Sequence, residues 1–212
     1  AVIRTDTGMV IGQYKGQKML PYRELVEKFE TQLTSLNLAF TRSLMVTGNG
    51  ERFFGTYRFG QVSIAGENFE RKLRLFSSHD GSLERGYGIE MERLACLNGM
   101  IISEIVTTSG RHRQNDTLEL FASLQNAIER GLIDAQTFID AMGNTAINNE
   151  LARNILSNIV AMSKGSISPK VGLLAHYNWL NPSPDETMLG NSLYRLYNAS
   201  TRLMRDVENI GK

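Results

Sequence analysis

One cysteine, Cys96, is all that the 212 residues offer, so no disulfide can form within the chain. The fold must be held by packing, in what reads as a reducing compartment. Long apolar runs are missing as well. Nothing approaches the roughly 18 consecutive apolar residues that span a bilayer, and the N-terminal AVIRTDTG has no apolar signal-peptide stretch. The expectation is a cytoplasmic protein that neither crosses a membrane nor leaves the cell by that route. A surplus of one charge is also lacking: 23 Lys and Arg against 22 Asp and Glu leave a net +1. That excludes a histone-like or duplex-coating protein, and any nucleic-acid site must be local.

Signatures of catalysis are equally scarce. The nucleophile elbow Gly-x-Ser-x-Gly, the P-loop and the Gly-rich dinucleotide fingerprint do not occur, and the three histidines lie beside no evident partner. Asp6-Thr7-Gly8 spells the aspartic-protease triplet, but that chemistry needs two carboxylates sharing one proton. No second copy exists, and the residues sit where a hairpin turn is expected. His79, Asp80, Cys96 and His112 form the one tempting metal set, with spacings that fit no compact Cys/His zinc framework. The plainer reading is a turn at His79-Asp80-Gly81-Ser82 in which the Asp80 carboxylate accepts backbone N–H groups, and a small buried strand residue at Cys96. These absences give a non-enzyme without catalytic residue, metal or cofactor. A metal-dependent nuclease would need Asp80, Glu90 and His112 to converge on an ion.

What is present is an ordinary core: 42% apolar and 21% charged residues, enough to exclude a disordered or fibrous chain. The length favours a single α+β domain over 1–212, with 1–110 mainly antiparallel sheet plus one helix and 111–212 mainly helical. Ala1–Thr5 and Met9–Tyr14 read as an opening hairpin. Leu25, Val26, Phe29, Leu33 and Leu36, behind Pro21, predict a helix over Tyr22–Leu36. From Ala39 to Thr108, β-branched and aromatic runs alternate with Gly and Asn turns, with strands at Arg52–Phe59, Phe69–Ser78, Ile89–Cys96 and Met100–Thr107. Beyond Gly110 a helix capped by Asp116 and boxed by Glu119 ends at Gly131, and further helices are expected at Asp134–Met142, Ala146–Met162 and Asn191–Asn209. Lys164–Asp185, with Pro169, Pro182 and Pro184, reads as a long connector. There is no internal repeat and no low-complexity tract.

The informative pattern comes from strand parity, since side chains alternate between faces with period two. Arg52, Phe54, Thr56 and Arg58 share one face of their strand, and Lys72, Arg74, Phe76 and Ser78 share one face of the next. Should hairpin register join these faces, cations and rings interleave on one surface. Rings can then stack on unpaired bases while Arg and Lys track phosphates. Gly110-Arg111-His112-Arg113 adds a basic loop just ahead of a capped helix, a place that favours phosphate. The alternative is an ordinary solvated sheet face, with Phe54 or Phe76 under helices and Glu70 sharing the Lys72 face. On the last helix, Arg195, Arg202 and Arg205, near Tyr194, Tyr197 and Trp179, read as a solvated surface rather than an extension of the groove.

VIRTDTGMVIG (Val2–Gly12), LFSSHDGS (Leu75–Ser82), RLACLNGMI (Arg93–Ile101), RHRQN (Arg111–Asn115) and LYRLYNASTRLM (Leu193–Met204) together resemble the phage/plasmid-like proteins, a domain family of bacteriophages, prophages and plasmids. The resemblance covers nearly the whole chain, which begins almost at the first motif, short of many members. It implies a setting, mobile genetic elements inside a bacterial host, and carries over no activity and no catalytic residue. The expectation is a phage-encoded protein that binds single-stranded DNA through Arg52, Phe54, Arg58, Lys72, Arg74, Phe76, Arg111 and Arg113, in support of replication, recombination or transcription. Its binding should weaken steeply with salt. Partners would be single-stranded DNA, a phage RNA polymerase or replication proteins, and further copies of the chain, with no membrane. The alternative is a protein-interaction factor that recruits a phage or host polymerase through the helical half and the Pro-containing connector without touching DNA.

Overall fold

The computed structural model describes residues 1–13, 20–64, 66–94, 99–100, 105–107 and 120–210. The chain is α+β, its antiparallel strands lying mainly in the N-terminal half and its helices in the C-terminal half. Strands β1 (Val2–Ile3) and β2 (Val10–Gly12) form a hairpin of their own. Asp6-Thr7-Gly8 is its turn: Gly8 adopts φ 69°, where a glycine avoids the Cβ penalty, and its N–H bonds the Arg4 carbonyl at 2.8 Å. The Arg4 guanidinium holds Asp6 at 2.5 Å, and that hydrogen bond keeps the Asp6 carboxyl below the usual range.

Helix α1 (Tyr22–Ser35) is followed by β3 (Thr41–Thr47), β4 (Arg52–Ile64), β5 (Glu67–Ser78), β6 (Gly86–Arg93), β7 (Gly99–Met100) and β8 (Ile105–Thr107). The main sheet runs β3-β4-β5-β6-β7, with β8 also paired to β6. Then come α2 (Leu124–Gly143), α3 (Asn149–Met162), α4 (Pro169–Leu180), α5 (Pro184–Thr187) and α6 (Leu193–Ile210). Among the described residues no helix is long and apolar enough to cross a membrane.

The chain divides into two compact units. The first comprises Ala1–Val62, Glu70–Met91 and Ile101–Ile133. Its helices cover one sheet face. Phe29 of α1, fully buried, meets Tyr57 of β4 at 5.0 Å and Phe121 at 5.1 Å between ring centroids, while Tyr22 stacks on Phe53 at 5.2 Å. The strand residues so covered, Phe53, Tyr57, Leu73, Leu75, Tyr87 and Ile89, all occupy odd positions. Burial pushes the Tyr57 hydroxyl well above its ordinary range. Helix α2 does not stop at Gly131, as the sequence suggested, but continues through it. A Cβ there would sit 3.0 Å from the Ile89 Cγ2, so the glycine permits close helix–sheet packing instead of ending the helix.

The second unit comprises Ser63–Phe69, Glu92–Met100 and Asp134–Lys212. Its core gathers Ala152 and Leu156 of α3, Ala175 and Trp179 of α4, and Leu196 and Ala199 of α6. Asn148 caps α3 by accepting the Leu151 N–H at 2.8 Å. The expected connector at Lys164–Asp185 is largely helical, because Pro169 and Pro184 stand in the first turns of α4 and α5. There a missing N–H costs nothing and φ is already set for a helix. Arg93, 3% exposed, is bound at both ends by Glu67, at 2.7 and 2.5 Å, and reaches Asp185 at 3.3 Å and Asn198 at 3.4 Å.

Candidate nucleic-acid interface

The site is built on the sheet face that α1 leaves open. Along β4 burial alternates strictly from Arg52 to Phe59: Phe53, Gly55, Tyr57 and Phe59 are buried, while Phe54, Thr56 and Arg58 are partly exposed and Arg52 is exposed. On β5, Leu73, Leu75 and Ser77 are buried, whereas Lys72 and Phe76 are partly exposed and Arg74 is exposed. Arg58 contacts Glu70 across the two strands at 3.5 Å, so their even-numbered residues share one face. Both rings therefore lie on the side away from α1, not beneath it. Ser78, assigned to that face by parity, is instead buried, its hydroxyl bonded to the Leu83 carbonyl at 2.8 Å.

The charges on this face are largely paired. Glu70 takes both Arg58 and Lys72, each at 3.5 Å, and Glu90 of β6 takes Arg74 at 2.7 Å. Arg52 donates to the Ser82 hydroxyl at 2.9 Å. Arg58 and Arg74 are the exposed members of these pairs and can exchange partners at a cost of about 1 kcal/mol or less, whereas Lys72 is only 11% exposed. The surface is thus an alternating charge lattice with two rings set in it, not an unbroken cationic stripe. Arg111 and Arg113 lie outside the described residues, so their position relative to these strands is not part of the site.

Sequence reasoning missed β3. Its register sets Met45 opposite Phe54, Ser43 opposite Thr56 and Thr41 opposite Arg58, which widens the same face by one strand. The signal was available in the β-branched Thr41-Arg42-Ser43-Leu44-Met45-Val46-Thr47 followed by Gly48-Asn49-Gly50 just before Arg52, a strand and turn leading into another strand.

Arg195 and Arg202 of α6 are not solvated surface. Arg195 lies over the fully buried Trp179 ring at 3.8 Å, and burial lowers the pKa of its guanidinium. Arg202 binds the buried Glu186 carboxylate at 2.9 Å and donates to the carbonyls of Asn178 and Asn181 at 3.1 Å. Tyr194 is buried with its hydroxyl on Glu67 at 3.0 Å. These groups hold the second unit together. The Arg205 side chain falls outside the described residues.

The Leu75–Ser82 motif forms the expected turn: Asp80 accepts the Ser82 N–H at 3.0 Å and its hydroxyl at 2.7 Å. Slight desolvation works to raise the Asp80 pKa, but these bonds hold it below the usual carboxylate range. Burial pushes the His79 imidazole below its ordinary range, with Arg85 acting in the same direction. Among the described residues no three His, Cys, Asp or Glu side chains gather to hold a metal. Cys96 and His112 lie outside them.

A family model described as "Domain of unknown function (DUF932)" matches residues 10–208. No curated protein and no solved structure matches the chain.

Proposed function

The chain belongs to the DUF932 family, and from that premise, together with the open sheet face, we propose that it binds single-stranded DNA without catalysing a reaction. We place it in the bacterial cytoplasm, in the service of replication, recombination or transcription of a phage or plasmid. The observation that carries the reading is the common exposure of Phe54 and Phe76 on the face opposite α1, among Arg52, Arg58, Lys72 and Arg74. A flat ring that a folded sheet leaves partly exposed offers an unpaired base a stacking partner of any sequence, about 1–3 kcal/mol per base. Neighbouring cations then hold the backbone. Duplex DNA, its bases already stacked, gains nothing from the rings and should bind less well.

The carboxylates set how salt acts. Because Glu70 and Glu90 already occupy three of the four cations, few phosphates are neutralised without displacing a carboxylate. The steep salt dependence expected from an unpaired basic surface therefore gives way to a shallow one, with a log–log slope of about −1 to −2 for roughly two phosphates. Fluorescence anisotropy with single-stranded and duplex oligonucleotides at two salt concentrations tests the reading. Preference for the single strand, lost by roughly tenfold or more in Phe54→Ala and Phe76→Ala at unchanged melting temperature, supports it. Silence with both nucleic acids rejects it.

One observation favours the second reading, a protein-interaction factor that recruits a polymerase. The helical unit exposes Met162 by 79%, Leu173 by 71% and Tyr177 by 61% on α3 and α4, and large exposed apolar surfaces mark protein contacts. A partner captured in a pull-down that survives nuclease treatment, and is lost in Leu173→Glu, would favour it.

A further inference from the structure

Strand β3 is an uncovered border of the main sheet. Among the described residues it pairs with β4 alone, and Leu44, Met45 and Val46 are 42%, 54% and 53% exposed. A free edge presents a row of N–H and C=O groups that invite another strand, so edges are usually blunted by lysine, proline, a bulge or shortness. This one runs from Thr41 to Thr47 without a register break and contains neither lysine nor proline. Its single charge, Arg42, is turned onto Glu30 of α1. We propose that β3 is the docking edge for a second copy of this chain, the two β3 strands pairing antiparallel about a twofold axis at Leu44.

Three features select this occupant. The strand is complementary to itself: pairing about Leu44 sets Thr41 against Thr47, Arg42 against Val46, Ser43 against Met45 and Leu44 against its own copy. No like charges meet, and the threonine and apolar pairs are favourable across strands.

The helix layer also has room. Leu44 and Val46 pair with Gly55 and Phe53, and Phe53 is stacked under Tyr22 of α1, so both point to the α1 side. In the joined sheet the two β4 strands stand three strand spacings apart, about 14 Å. Packed helices need about 8–10 Å between axes. Two α1 helices therefore fit side by side above the joint without collision.

Finally, an isolated foreign strand would satisfy the edge but leave Leu44 and Val46 in water. A second copy flanks them, setting its own Leu44 against Leu44 and its Arg42 stem against Val46 and bringing a second α1 to the far side of the joint.

The proposal concerns the edge and the α1 side of β3. It stands apart from nucleic-acid binding, and its test reads mass. Light scattering or sedimentation of the whole chain should give a dimer that dissociates on dilution. Leu44→Lys sets two lysines against each other at the axis. It should yield a monomer with the circular dichroism and melting temperature of the dissociated wild type. In a Cys96→Ser background, Leu44→Cys should cross-link under mild oxidation, since opposed Cβ atoms lie about 4.5–5.5 Å apart, while Thr31→Cys on the exposed side of α1 should not. A wild type that is monomeric at every concentration overturns the proposal. So does a dimer indifferent to Leu44→Lys, or cross-linking equally fast at both positions.

Discussion

The Tyr22 ring lies flat on the His79 imidazole, with centroids 3.7 Å apart and planes 2° from parallel. Both residues reach the same carbonyl: the Tyr22 hydroxyl donates to the Glu51 oxygen at 2.5 Å and the His79 N–H at 2.7 Å. The imidazole is enclosed and its Nε2 lies 3.3 Å from the Leu20 oxygen. Desolvation holds its pKa below the ordinary 6.5. A depressed folded pKa means that the unfolded chain takes up its proton first. The contribution of His79 is therefore complete above about 6.5 and is lost as pH falls from there through the folded value. Melting temperature should drop between pH of about 7 and about 5, and His79→Phe, which keeps a ring but no titration, should flatten that drop. Parallel curves for the two proteins would refute the assignment.

Gly131 and Gly143 are both helical glycines of α2, yet they should respond oppositely to a side chain. At Gly131 a Cβ meets Ile89 Cγ2 at 3.0 Å, whereas at Gly143 nothing lies within 4 Å. Gly131→Leu forces extra atoms into a filled contact and should destabilise by about 1–3 kcal/mol. Gly143→Ala removes freedom from the unfolded chain at an open position and should stabilise by about 0.4–1 kcal/mol. Urea or thermal denaturation of the two variants decides the matter, and a similar loss in both would mean that α2 is not seated on Ile89.

The pair Arg202–Glu186 is closed off from water, with the Glu186 side chain fully buried and Arg202 only 12% exposed. Removing one partner strands a charge. Arg202→Met should cost about 3–5 kcal/mol. The double variant Arg202→Met with Glu186→Gln keeps an acceptor for the Ser183 N–H, which Glu186 holds at 2.9 Å, and should recover most of that loss. Additive losses in a double-mutant cycle would show the two side chains to be energetically independent.

Periodicity carried the elements whose burial is decided by near neighbours. The spacing of Leu25, Val26, Phe29 and Leu33 gave α1 to within one residue of its end, and parity along Arg52–Phe59 gave the sheet face on which both rings lie. It failed where a distant contact sets the meaning of a residue. Gly131 reads locally as a stop, and only Ile89, in another strand, makes it a packing site. Pro169 reads as a breaker, and only the helix behind it makes it a first-turn residue. Arg195 and Arg202 read as solvated, because nothing nearby in sequence announces Trp179 beneath one or Glu186 beside the other. The pairing of Arg58, Lys72 and Arg74 with carboxylates was half visible, since Glu70 shares its strand with Lys72 but Glu90 comes from the next one.

Arg93 draws its ligands from positions 67, 185 and 198, and that spread imposes an order on biosynthesis. The guanidinium and Glu67 leave the ribosome close together, but Asp185 and Asn198 are translated only about a hundred residues later. Until then the guanidinium lacks its Asp185 and Asn198 partners, and a nascent chain stalled before position 198 cannot supply both. Its completion waits on synthesis through position 198, and products truncated before it should be those that proteases clear first.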